Sequence, residues 1–213
     1  MIRLVTVAAR RWMLAVIMGA AIVMAAAAMP LEGSQPSGAR ARSDKIVAQA
    51  EALIMQAGRS DPVDTAKVRR AIASLHDALG VDSRNDSAYV DLGFCYGLLH
   101  DGSTAADMYA KATQINPSPA NFKELADIYL RVGNPDDALM AANAGLVKDP
   151  NNAKLHNAKG MALLDLGRPD EAEAEFRKAI QLDPGFAVAR DNLRAVNERA
   201  ARQASRPSQP GSR

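Results

Sequence analysis

A chain of 213 residues, 48% hydrophobic but only 4% aromatic, has room for one modest domain plus appendages, and its alanine-rich, aromatic-poor interior suits closely packed helices better than sheets. The formal charge of +2 arises at the very start, where Arg3, Arg10 and Arg11 precede the first acidic residue, Glu32. The near-neutral remainder argues against nucleic acid as the main partner, which would call for a one-signed basic face.

In chain order, the first feature is the run from Trp12 to Met29, which holds no charged or strongly polar side chain and follows three arginines. Two readings fit it. Ala26 and Ala28 stand in the −3 and −1 places of an A-x-A cleavage site, as in a secretory signal. The same run is long enough to stay as a helical anchor in the inner membrane, with Arg10 and Arg11 held inside. Either way the rest of the chain is expected to be exported, and through a bacterial inner membrane that places it in the periplasm. Residues 30–43, rich in Pro, Gly, Ser and Arg, read as a flexible linker, and residues 205–213 as a disordered tail. The folded part is thus expected over 44–204. Its single cysteine, Cys95, allows no disulfide within the chain and gives no lipid-acylation site beside the apolar run.

Internal periods organise that part. Gly133 and Gly167, Ala138 and Ala172, and Pro150 and Pro184 are 34 residues apart, while Leu92/Leu125, Tyr96/Tyr129, Ala105/Ala138 and Pro117/Pro150 are 33 apart. Units over 86–118, 119–152 and 153–186 carry Tyr89, Leu92, Gly93, Tyr96, Ala105, Tyr109, Ala112 and Pro117; Phe122, Leu125, Ala126, Tyr129, Gly133, Ala138, Ala142, Gly145 and Pro150; and His156, Lys159, Gly160, Leu163, Gly167, Ala172, Phe176, Ala179 and Pro184. This pattern resembles the tetratricopeptide repeat, a helix-turn-helix unit of about 34 residues. The resemblance implies an all-α fold, a short right-handed α-solenoid. Small residues at Gly93, Ala126 and Gly160, and at Ala105, Ala138 and Ala172, let the two helices of a unit approach. Gly133 and Gly167 fit left-handed caps, and Pro135 and Pro169 fit the first turn of the next helix. Lys159, where the family has Leu, and His156, where it often has an aromatic residue, depart from the pattern.

Residues 44–85 read as a degenerate first unit. Ile46, Ala50, Leu53 and Ala57 recur at helical spacing, and a second helix is expected to begin near Asp61 with Pro62 in its first turn. Residues 187–204 read as a polar capping helix, with Ala189, Leu193 and Val196 on one side.

The acidic stretch 167–186 invites a chemical interpretation, but in the repeat frame Asp170, Glu171 and Glu173 open a second helix, where carboxylates favour the dipole. A solvated face is the expectation, with Ala172, Phe176, Ala179 and Ile180 buried. His76, His100 and His156 lie at non-ligand spacings, and no phosphate loop or nucleophile elbow is present. No catalytic, metal or cofactor site is expected, and no small-molecule substrate. What the resemblance does imply is a groove lined by the first helices, which here places Val90, Phe94 and Leu98, then Lys123, Asp127, Leu130 and Arg131, then Asn157, Met161, Leu164 and Asp165 on a partner surface for a protein or peptide. The competing interpretation packs Phe94, Leu98 and Leu164 against neighbouring helices. A Lys/Asn clamp for chaperone tails needs Lys at the fifth and Asn at the ninth place of one unit, and Val90/Phe94 and Lys123/Asp127 do not supply it. The expected function is a non-enzymatic envelope scaffold serving a pilus, secretion or cytochrome-maturation complex, or alternatively a self-association module.

Overall fold

The computed structural model of the protein describes residues 37–204; the apolar run 12–29, the beginning of the expected linker and the tail 205–213 lie outside the described residues. Among the described residues there are nine helices and no strand: α1 (Ser37–Gly58), α2 (Thr65–Val81), α3 (Asp86–Leu98), α4 (Gly102–Ile115), α5 (Pro119–Arg131), α6 (Pro135–Lys148), α7 (Ala153–Asp165), α8 (Pro169–Leu182) and α9 (Ala187–Ala204). Helices α3 and α4, α5 and α6, and α7 and α8 pack as pairs; α4 meets α5, α6 meets α7, and α9 lies on α8.

Local chemistry sets the boundaries. Asp64, Asn85, Asp101, Ser118 and Asn152 each cap a helix by accepting a backbone N–H with the side chain, which removes one of the orphan donors of a helix start. Pro119, Pro135 and Pro169 occupy first turns, where a missing N–H breaks no helical bond. Gly133 and Gly167 have φ of +78° and +73°, as expected of left-handed caps. The corresponding place one unit earlier holds His100 at φ +61°.

Packing within a unit depends on absent side chains. A Cβ on Gly93 would stand 2.8 Å from the Tyr109 ring, and one on Gly160 would stand 2.6 Å from that of Phe176. Ala105, Ala138 and Ala172 are fully buried opposite them. The core runs as three successive clusters, around Leu75 and Leu92, around Tyr109 and Ile128, and around Leu163 and Phe176.

Three local features differ from expectation. Helix α1 begins at Ser37, inside the stretch expected as linker, because tertiary contacts hold it: Arg40 pairs with Asp86 at 3.1 Å and Asp82 at 3.5 Å, as well as with Asp44 one turn on in its own helix at 3.1 Å. In the same joint the buried Ser43 hydroxyl donates to the carbonyl of Ala78 at 2.9 Å, and Asn85 donates to Ser43 at 2.8 Å. Helix α2 starts at Thr65, not near Asp61, because Asp64 accepts from the N–H groups of Ala66 and Lys67 and leaves Pro62 in the loop. Glu175 is not part of the wet face of α8. It reaches back to α7, where its carboxylate meets His156 Nδ1 and Lys159 Nζ, each at 2.6 Å.

Candidate peptide-binding groove

The first helices α3, α5 and α7 repeat the same places: Val90/Lys123/Asn157, Phe94/Asp127/Met161, Gly97/Leu130/Leu164 and Leu98/Arg131/Asp165. Contacts across the helices tie the row together. Arg131 of α5 lies against Gly97 of α3, with a guanidinium nitrogen 3.4 Å from where a Cβ would stand. Its guanidinium thus uses the room that the missing side chain leaves, at the place where the next two units carry Leu130 and Leu164. At the other end Asn192 of α9 donates to Asn157 of α7 at 2.9 Å.

The candidate residues divide by environment. Phe94 is 48% exposed, an unusual state for a large aromatic ring on a packed helix. Leu98 and Val90 are half-buried and pack on the first and second clusters, and Met161 and Leu164 on the third. Leu130 is half-buried, whereas Arg131 and Asp165 are exposed. Lys123 and Asp127 pair with each other at 2.9 Å, and Glu124 takes the same ammonium at 3.1 Å, so that charge is largely spent inside α5.

Two groups escaped the sequence reading. Asp91, a turn before Phe94 and Cys95, has an Oδ2 that is buried and accepts no hydrogen bond. Burial, and after it the charge of Glu51, pushes its pKa up to about 7. A polar residue on an exposed-looking stretch of helix gives no hint of this, because both the burial and the nearby charge of Glu51 come from the packed fold. Gly97 was the other, and its signal was legible as the one glycine in a row of leucines. Cys95 is fully buried, and burial together with Asp91 pushes its thiol up to about 12, which suits a small core residue and not a nucleophile. Among the described residues no group of three or more His, Cys, Asp or Glu side chains could hold a metal.

Paired helices at this spacing, small residues at the crossings and glycine caps define a tetratricopeptide-repeat architecture, and the comparisons agree. The family model described as tetratricopeptide repeat matches residues 123–185. Among curated relatives, the chain is 31% identical over 106 residues to small glutamine-rich tetratricopeptide repeat-containing protein 2 of Mycosarcoma maydis, covering 49% of this chain and 30% of that protein. It is 32% identical over 107 residues to heat shock protein STI1 of Saccharomyces cerevisiae, covering 49% of this chain but 18% of the relative. The chain therefore spans less than a third of either. Among solved structures, YrrB, a tetratricopeptide protein with an unusual peptide-binding site, superposes with a TM-score of 0.54 at 26% identity over 73% of this chain and 78% of YrrB. The first tetratricopeptide domain of Spaghetti (RPAP3), bound to an HSP90 peptide, superposes with a TM-score of 0.52 at 22% identity over 56% of this chain and 96% of that one. Residues 123–185 thus match the tetratricopeptide repeat, and the described residues have the all-α fold of a tetratricopeptide-repeat solenoid.

Proposed function

We propose that this chain is a non-enzymatic protein-interaction scaffold of the bacterial cell envelope. It would hold a peptide or helix of a partner along α3, α5 and α7 during assembly of a pilus, secretion or cytochrome-maturation machine. The observation that carries this reading is Phe94, 48% exposed on α3, whereas Val90, Leu98, Met161 and Leu164 of the same row pack on the core clusters. A half-sunken apolar floor with one protruding ring and polar ends fits the pattern of anchors that a groove offers an extended or helical segment. The peptide-bound relatives in fold support the mode of binding and say nothing of the partner. Export rests on the run from Trp12 to Met29. A mature chain starting near Met29 by mass places the scaffold free in the periplasm, and an intact one anchors it in the inner membrane.

The test is affinity capture of the full-length protein from membranes, wild type against Phe94→Glu. Leu98 packs on the first core cluster, so a charge there would confound binding with folding. Loss of the captured envelope partner, with the circular dichroism and unfolding midpoint unchanged, is the expected result. Undiminished recovery would sink the groove reading.

Self-association is the second reading, and α6 favours it: Met140 is 60% and Val147 80% exposed, two turns apart on one face of a second helix. Light scattering on the full chain and on a Met140→Lys, Val147→Lys variant decides it, since a monomer in both leaves that face without a role in oligomers.

A further inference from the structure

The end of the groove nearest α1 carries charge that the fold does not use. Glu51 of α1 takes part in none of the hydrogen bonds or ion pairs of the described residues, and Oδ2 of Asp91 is buried without a partner. Glu51 is the only charge that acts appreciably on Asp91, and it is of the same sign. The other titratable groups nearby give no counter-charge. Cys95 on α3 and Tyr109 on α4 are held neutral, their pKa values raised chiefly by burial. From α5, Glu124 and Arg131 act on the Tyr109 hydroxyl with opposite signs, and Lys123 is held by Glu124 and Asp127.

Beside each carboxyl stands an exposed apolar side chain on the same helix face. Phe94 follows Asp91 by three residues, and Met55, 60% exposed, follows Glu51 by four. Arg59 bounds the strip beyond Met55, its guanidinium 3.6 Å from the sulfur. Two carboxyl groups lacking a cation, flanked by a thioether and a ring, complement one kind of surface.

We propose that Glu51 and Met55 of α1, with Asp91 and Phe94 of α3, dock a basic amphipathic segment of a partner protein, a lysine or arginine meeting the two carboxyl groups and an apolar side chain lying between Met55 and Phe94. This deepens the groove reading and rests on it for Phe94. The incoming cation relieves the repulsion between Glu51 and Asp91 and lowers the pKa of Asp91. With that pKa raised to about 7, Asp91 in the free protein is partly protonated at neutral pH, so docking expels part of a proton. By linkage, affinity rises with pH through neutrality and levels off once Asp91 is ionised beforehand. Cys95 and Tyr109 stay neutral over that range and contribute nothing to the slope.

The experiment is titration calorimetry on the full-length protein with a synthetic Lys/Leu amphipathic peptide of about 14 residues, roughly 21 Å long as a helix, and with versions carrying Gln or Glu for every Lys. The Lys peptide should bind at least about tenfold tighter than the Gln peptide, and Glu51→Gln, Asp91→Asn and Phe94→Ala should each weaken it by about tenfold. Asp136→Asn with Asp137→Asn, on the first turn of α6, should leave it unchanged. Repeated in buffers of different ionisation heat at pH 7, binding should release a fraction of a proton per peptide, and Asp91→Asn should abolish that release. Equal affinity for the Lys and Gln peptides, indifference to Glu51→Gln and Asp91→Asn, or absence of proton release overturns the proposal. If the Gln or Glu peptide binds instead and Phe94→Glu removes it, the groove stands and its basic partner falls. If the Lys peptide binds as expected while Phe94→Glu leaves envelope capture intact, the strip stands apart from the groove reading.

Discussion

At the scale of single residues, the repeat frame makes unequal demands on equivalent positions. Gly133 and Gly167 take the left-handed cap with open space around the missing Cβ, while His100 takes it at φ +61°, a conformation in which the Cβ of an L-residue crowds the following carbonyl. That clash costs an L-residue about 1–2 kcal/mol. Glycine would relieve it but would lose more freedom on folding, an offset of about 0.4–1 kcal/mol. His100→Gly is therefore expected to stabilise the protein by about 0.5–1 kcal/mol, read as a higher urea midpoint at unchanged slope. An unchanged or lower midpoint would mean that the imidazole makes up the difference through contacts of its own. The position was legible in the sequence, since His100 precedes Gly133 by one period, but histidine carries no conformational cue and only the period points to it. Asp91 was not legible, because its burial comes from tertiary packing and the charge that acts on it, Glu51, is forty residues away in sequence.

At the scale of elements, punctuation and partnership part company. Helix ends in the three regular units were readable because caps, prolines and glycines act within a few residues of themselves, whereas Pro62 misdirected the start of α2. The partners of Lys159 and His156 were not, since Glu175 lies sixteen and nineteen residues on and only the turn between α7 and α8 brings it back. Their departure from the family's apolar pattern is nonetheless coherent: His156 also meets the carbonyl of Pro150 at 3.0 Å, so the polar pair is bonded on both sides. The start of α1 was hidden for the converse reason, a linker-like composition made helical by Arg40 reaching Asp82 and Asp86. Removing one member of such a cluster costs more than replacing the whole cluster by apolar groups. Glu175→Ala should lose about 1–3 kcal/mol by leaving His156 and Lys159 half-buried without their acceptor. The triple change His156→Phe, Lys159→Leu, Glu175→Leu should recover most of that loss. A triple variant weaker than Glu175→Ala would show that the cluster holds α7 to α8 in a way that packing cannot replace, and chemical denaturation of the three proteins settles it.

At the scale of the molecule, each core cluster draws on neighbouring helices, so stability should behave as a row of local units coupled at their interfaces. Helix α9 is the test of this arrangement, because it packs chiefly on α8 at the end of the described row and seals the last cluster with Leu193 and Val196 against Leu163 and Phe176. Burial of a Val or Leu side chain is worth about 1.5–3 kcal/mol, so ending the chain at residue 186 should cost about 3–5 kcal/mol. The loss should also be local. Hydrogen exchange in the truncated chain should quicken in α7 and α8 and remain near its original rate in α2 and α3, with α5 and α6 between. Such a gradient would bear on binding as well, since Asn157 loses the Asn192 hydrogen bond that orders that end of the groove, whereas Phe94 and Asp91 keep their surroundings. A truncated protein that still docks the Lys/Leu peptide, while its α7 exchanges freely, would separate the N-terminal strip from the rest of the groove; uniform loss of protection would instead make the solenoid one cooperative block.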